Sequence, residues 1–178
     1  MKKGFTLIEV VVMVTILLIF VTVIVAAVNS TSDVPAQTQE VFLPAPTAYA
    51  IDTAGVLSLP DLASLNEKLR AIAQRGNGKE IAVLVVPTTQ PYDITQYGIM
   101  VGDTWKVGDD EKDNGVIIII ATEDREVRIE VGSGAEADIT DAQAGDILDD
   151  VMIPYLKDGL NWYGALNAGI DAVDSKLN

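Results

Sequence analysis

The stretch Val116-Ile117-Ile118-Ile119-Ile120-Ala121-Thr122-Glu123-Asp124-Arg125-Glu126-Val127-Arg128-Ile129-Glu130-Val131 decides the fold. Its first six residues are all apolar, as in a central strand covered on both faces. Thr122-Glu123-Asp124 then supplies turn residues. From Val127 to Val131 apolar and charged residues alternate, the period of a strand with one face inward and one outward. The stretch therefore predicts a hairpin. Upstream, Ile81-Ala82-Val83-Leu84-Val85-Val86 is a second continuous apolar run of strand length.

Helical spacing surrounds these strands. Leu62, Leu65, Leu69 and Ile72 recur at helix period after Ser58-Leu59-Pro60-Asp61, where a capping serine precedes a proline at the helix start. Arg75-Gly76-Asn77-Gly78 ends that helix. Residues 94–105, 140–155 and 162–177 suit three more helices. Strand, helix, hairpin and helices in this order predict an α/β domain: an α/β/α-type sandwich around a mixed β-sheet.

Composition narrows the chemistry. The chain has 178 residues, and its 12 Lys and Arg against 26 Asp and Glu leave a net charge of −14. Such a surface repels phosphate backbones, which argues against a nucleic-acid partner. There is no His and no Cys, so imidazole bases, thiol nucleophiles and the usual transition-metal ligands are excluded. Catalysis is left to carboxylates or a hard metal ion, and the balance of features leans against an enzyme. The absence of Cys says nothing of redox compartment.

The N-terminal segment has its own grammar. After Met1-Lys2-Lys3-Gly4 comes Phe5-Thr6-Leu7-Ile8-Glu9, and residues 10–28 then carry no charge. A helix over residues 5–28 is about 36 Å long at 1.5 Å per residue, enough to cross a hydrocarbon core of about 30 Å. Gly4-Phe5-Thr6-Leu7-Ile8-Glu9 resembles the class III leader of type IV pilins and type II secretion pseudopilins. That resemblance implies cleavage by a prepilin peptidase after Gly4, an N-methylated Phe5 at the new terminus, and Glu9 as the buried acid that registers one subunit on another. A carboxylate in lipid is costly without a cation, and the Phe5 ammonium of a neighbouring subunit is one. Asn29-Ser30-Thr31-Ser32-Asp33-Val34-Pro35 stops the helix early; it also holds a weak glycosylation pattern at Asn29. The expected organisation is a leader over 1–4, an apolar helix over 5–28, an extended linker over 29–49, and an α/β domain over 50–178. Within the linker, Glu40-Val41-Phe42-Leu43 is a β-prone patch open to two readings, a plain tethering arm, which is preferred, or a segment that lies on its own domain or on a neighbour.

Acids gather in three loops of the domain: Ile51-Asp52-Thr53-Ala54-Gly55, Asp109-Asp110-Glu111-Lys112-Asp113-Asn114-Gly115, and Gly132-Ser133-Gly134-Ala135-Glu136. In a hairpin, Asp113 and Glu136 emerge from the same end of the sheet. Oxygen donors from several loops suit Ca²⁺, although Asp, Asn and Gly also serve plain turns. Five segments recur in order: Ile51-Asp52-Thr53-Ala54-Gly55-Val56-Leu57, Trp105-Lys106-Val107-Gly108, Lys112-Asp113-Asn114-Gly115-Val116, Arg128-Ile129-Glu130-Val131-Gly132 with Glu136, and Pro154-Tyr155. On these residues the domain resembles the TPM-domain family, which includes a plant thylakoid-lumen acid phosphatase and bacterial membrane-anchored proteins. The resemblance implies a domain displayed outside the cytoplasm, Ca²⁺ binding in some members, and phosphatase activity in others. Asp52, Asp113 and Glu136 stand at the family's acidic-loop positions and are the expected metal ligands, with Asn114, Asp109 and Asp110 as further candidates. Ser133-Gly134-Ala135-Glu136 departs from the family's bulkier pattern there.

Together these features lead to a structural subunit of a type IV pilus-like filament. It is held in the cytoplasmic membrane as precursor, then forms a homopolymer outside the cell that displays a Ca²⁺-binding TPM-like domain. The alternatives are a tethered extracytoplasmic phosphatase-like hydrolase and a minor pseudopilin or adhesin.

Overall fold

The computed structural model describes residues 43–75, 78–109, 111–157 and 159–178. The leader, the apolar helix over 5–28, Gly4, Phe5, Glu9 and Asp110 lie outside the described residues. Within them no helix is long and apolar enough to cross a membrane.

Four strands form one sheet in the order β1-β2-β3-β4. They are β1 (Ala50–Asp52), β2 (Ile81–Val86), β3 (Val116–Ala121) and β4 (Glu126–Val131). The first three are parallel, and β4 returns antiparallel to β3 with Val116 opposite Val131 and Ala121 opposite Glu126. The sheet is therefore mixed and the hairpin is formed. Every residue of β2 and β3 is buried.

That burial follows from helices on both faces, because successive side chains point to opposite sides. Val83, Val85, Ile118 and Ile120 pack against α1 (Leu59–Ala73) and α5 (Trp162–Leu177) through Leu65, Leu69, Leu166 and Ile170. The alternate residues Leu84, Val86, Ile117 and Ile119 face α2 (Ile94–Trp105) through Tyr97, Val101 and Trp105. At about 25 cal/mol per Å² of apolar area, these two layers supply most of the drive to fold.

Helix starts follow their caps. Ser58 accepts the Asp61 N–H, Asp93 accepts the Gln96 N–H, and Thr140 and Gln143 make a reciprocal capping box. The helix expected over 140–155 is interrupted. It consists of α3 (Asp141–Asp146), a π-helical stretch (Ile147–Met152) and α4 (Ile153–Lys157). Pro154 accounts for the widening, since its ring clashes with the carbonyl four residues back and it has no N–H to give. The Ile153 N–H reaches back to the Leu148 carbonyl instead.

Two other segments differ from expectation. Ile51 and Asp52, read as loop, belong to a short edge strand whose pairing is decided by β2. Residues 43–49, read as the end of the linker, lie on the domain: Leu43 packs against the α2-side core, and the buried Trp105 Nε1 donates to the Pro44 carbonyl at 2.7 Å.

Candidate functional site

The parallel strands give the domain two chemically distinct ends. Their amino ends lie beside the loop from Lys106 to Gly115 and the turn after β4. Their carboxyl ends lie beside Asp52 and the β3–β4 turn.

At the amino end, α2 stops where Lys106 adopts left-handed φ of 48° and donates its N–H to the Gly102 carbonyl. The loop then folds on itself. Asn114, only 4% exposed, accepts the Asp109 N–H at 2.8 Å, and the Asp109 carbonyl accepts from Lys112 and Asp113 at 3.0 and 2.8 Å. The Asp109 carboxylate takes the Glu111 N–H at 3.0 Å and the Lys112 ammonium at 3.2 Å. Hydrogen bonding from Lys112, then from the Glu111 N–H, holds the Asp109 carboxyl below the ordinary aspartate range.

This loop is locked to the turn that follows β4. The Asp113 carboxylate accepts the Ser133 N–H at 2.9 Å, and its carbonyl accepts the Gly134 N–H at 2.9 Å. Two glycines allow that approach: a Cβ on Gly132 would collide with the Asp113 carbonyl, and one on Gly134 with the Lys112 carbonyl. Beside the lock, between α2 and β4, lies a cleft of about 290 Å³. Among the described residues, Asp103, Asp109, Asp113 and Glu130 line it, with Lys106 as the one cation. Arg128 pairs with Glu130 at 2.6 Å and so offsets one of these charges.

The expected ligand set is only partly assembled. Asp113 and Glu136 are both on loops leaving the amino end, as the Val116 to Val131 register requires. Asp52 is not with them. Its partner across the sheet is Val85, near the carboxyl end of β2, whereas Asp113 precedes Val116, whose partner is Ile81 at the amino end. The expected convergence of Asp52, Asp113 and Glu136 is thus corrected: β1 runs parallel to β3, so a residue closing β1 and one preceding β3 sit at opposite ends. Both Asp52 oxygens are engaged locally, accepting the Gly55 and Leu57 N–H groups at 2.8 Å each. Asp109 and Asn114 do lie together, joined by hydrogen bond. Among the described residues no three acidic side chains are grouped to hold a metal ion, so the three-carboxylate calcium set does not fit.

Sequence reasoning passed over Asp103, Lys106 and Glu130 as site residues. Glu130 was legible as a residue of an alternating strand and of a family-matching segment, and nothing local says that α2 lies across from it. Asp124, read as turn, ties the carboxyl end together by accepting the Thr88 hydroxyl at 2.9 Å and the Thr89 N–H at 2.8 Å.

The TPM-domain family model matches residues 50–176. The chain belongs to the TPM-domain family. Solved structures agree on the fold. The N-terminal domain of a Porphyromonas gingivalis protein, solved by solution NMR, is 30% identical with a TM-score of 0.66, covering 74% of this chain and 82% of that one. The N-terminal domain of the Corynebacterium glutamicum protein cg2496 is 19% identical (TM-score 0.57, 78% and 87% covered). The BA42 protein of Bizionia argentinensis is 21% identical (TM-score 0.58, 71% and 84% covered). Curated proteins give no match.

Proposed function

We propose that this chain is a pilin-like subunit that polymerises through residues 5–28 and displays its TPM domain outside the cell. The observation that carries the reading is Gly4-Phe5-Thr6-Leu7-Ile8-Glu9 directly before the charge-free run 10–28. A lone carboxylate at that depth is expensive unless a partner's cation meets it, and the free amine of Phe5 on the next subunit supplies one after processing. The linker's attachment supports display: with Pro44 held by Trp105, the tether leaves the TPM domain from a defined point. The cleft is acidic even with Glu130 paired to Arg128 and Asp109 to Lys112, since Asp103 and Asp113 remain beside Lys106; this offers a phosphoester little attraction, and display is preferred to hydrolysis. Calcium keeps a reduced place in this proposal, at the amino end alone. There Asp113, Asp109 and loop carbonyl oxygens are the donors available to a hard cation, without Asp52.

The test is the N-terminus and mass of the subunit in sheared extracellular fibres. The expected subunit begins with N-methylated Phe5 and has lost Lys2 and Lys3, moving the net charge from −14 to −16. A fibre subunit retaining Met1, or cut near Ala27, overturns the reading. Glu9→Ala is expected to leave the TPM domain folded and to block incorporation into fibres.

A further inference from the structure

β4 ends the sheet on one side, and the ladder it makes with β3 fixes what its outer side presents. The Gly132 N–H donates to the Gly115 carbonyl at 2.9 Å. With the register of Val116 to Val131, this makes 117/130, 119/128 and 121/126 the hydrogen-bonded pairs of the hairpin. The N–H and C=O groups of Val127, Ile129 and Val131 therefore point away from β3. Among the described residues none of them meets a hydrogen-bond partner on that side. The opposite edge differs, because Asn66 occupies the backbone of Ala50 there. Ile129 is 5% exposed with its side chain in the core, and its neighbours on the strand from Val127 to Val131 are half-buried. Backbone groups that are nearly covered and unpaired are costly, and an unpaired edge is a template for another strand. Ile99 of α2, 50% exposed, leaves apolar surface beside Glu130 and Val131.

The side chains select which strand fits. Arg128 and Glu130 share one face of β4 and pair with each other, while Val127, Ile129 and Val131 share the face that packs on the α1 and α5 core. Let β4 lie antiparallel to β4 of a second copy, with Ile129 opposite Ile129. Val127 then stands opposite Val131, and Arg128 opposite Glu130, in both directions. The outward backbone groups exchange their bonds in three pairs, and Arg128 with Glu130 takes the closer, non-hydrogen-bonded position. Glu126 meets Gly132, which has no side chain to oppose it. Sliding the copies by two residues sets Arg128 against Arg128 or Glu130 against Glu130, and like charges directly opposite are destabilising. Sliding by four carries each strand past its own end. The strand is thus complementary to itself in one register. We propose that β4 pairs with β4 of a second copy about a two-fold axis, joining two TPM domains through one continuous sheet. Such a contact closes on itself, and it does not rest on the filament reading.

The test uses the full chain in detergent micelles, with a nitroxide on Glu126→Cys, since the chain has no other Cys. Position 126 lies opposite 132 in the pair, so pulsed electron spin resonance should show a label separation of about 20 Å, the 126-to-132 span at 3.4 Å per residue. Arg128→Glu and Glu130→Arg should each reduce that population more than tenfold, because each places like charges across the contact. Mixing these two labelled variants should restore it. The double exchange Arg128→Glu, Glu130→Arg should restore it too, and keeps the ion pair within the strand. Val127→Pro removes an outward N–H and leaves the ladder to β3 intact; it should abolish the separation while thermal unfolding stays cooperative. If a single reversal unfolds the domain, the double exchange and Val127→Pro still decide. Association through residues 5–28 would survive every one of these changes. No such separation at millimolar protein, one that persists in Val127→Pro or in a folded single reversal, or a double exchange that fails to restore it would each overturn the pairing.

Discussion

Asn66 of α1 completes the sheet at the backbone of Ala50: its Oδ1 accepts the Ala50 N–H at 2.9 Å, and its Nδ2 donates to the Ala50 carbonyl at 3.0 Å. Ala50 faces away from β2, since Tyr49 and Thr53 on either side bond to Val83 and Val85. The side-chain amide thus occupies the place of a neighbouring strand on an edge that would otherwise be open to pairing.

Replacing Asn66 with Ala removes both partners of Ala50 at once. An unsatisfied, partly buried backbone group costs about 1–3 kcal/mol, so a loss in that range is expected in urea unfolding. Asn66→Asp keeps the acceptor but removes the donor, and should cost more than Asn66→Gln only if the geometry at Ala50 tolerates the longer side chain. Unchanged stability in Asn66→Ala would show that water replaces the amide freely. The same variant should aggregate faster at equal stability, read by light scattering.

The separation of Asp52 from Asp113 makes a test by calcium titration. Asp52→Ala loses two hydrogen bonds that shape the 53–57 loop. It should lower stability by about 1–3 kcal/mol, equally in calcium and in chelator. Asp113→Ala should instead abolish a calcium-dependent rise in melting temperature. If Asp52→Ala alone erases that response, the two ends of the sheet are not separate for the ion.

Gly134→Ala tests the backbone lock. Its methyl would meet the Lys112 carbonyl, which is backbone and has no rotamer to yield. A loss above about 2 kcal/mol is expected, in the range of strain and overpacking. Gly145→Ala is the control, because nothing lies within 4 Å of its added Cβ; it should be neutral or stabilising, as helical Gly-to-Ala changes are. Equal effects at the two positions would remove the argument for the lock.

Asp109 sets an acid limb for the 106–115 loop. Its carboxyl is held below the ordinary value mainly by the Lys112 hydrogen bond and then by the Glu111 N–H. A lowered folded value means a contribution that is complete above the unfolded aspartate value and is lost as pH falls through the folded one. The loop should therefore loosen in acid, not in base. Both side chains are accessible, at 33% and 63%, so salt should screen the ion-pair part. NMR titration of the Asp109 carboxyl should give a midpoint below that of exposed aspartates, moving upward in high salt. A midpoint in the ordinary range at low salt would contradict the hydrogen-bonded geometry.

Much of the fold was legible because its signals are local. The helix expected over residues 94–105 coincides with α2, since Asp93 caps it and its apolar residues recur on one face. The runs 81–86 and 116–121 are strands with those bounds, because only a strand covered on both faces tolerates apolar residues throughout. The breadth of the π-helical stretch escaped, although Pro154 was in view, since a proline within a helix does not say which turn will give way.

The site was less legible. Sequence alone determined which loops carry acids, that Asp113 and Glu136 share an end of a hairpin, and that no imidazole or thiol is available to them. It also supplied Gly4, Phe5 and Glu9, on which the proposed assembly rests. Only the tertiary structure decided that β1 exists and lies parallel to β2, which sends Asp52 to the far end. It likewise decided that α2 lies against β4 and brings Asp103 and Lys106 to Glu130. The reason is physical: helix period and strand alternation are properties of neighbours along the chain, whereas strand direction and helix placement depend on contacts between residues distant in sequence, whose pairing no local pattern encodes.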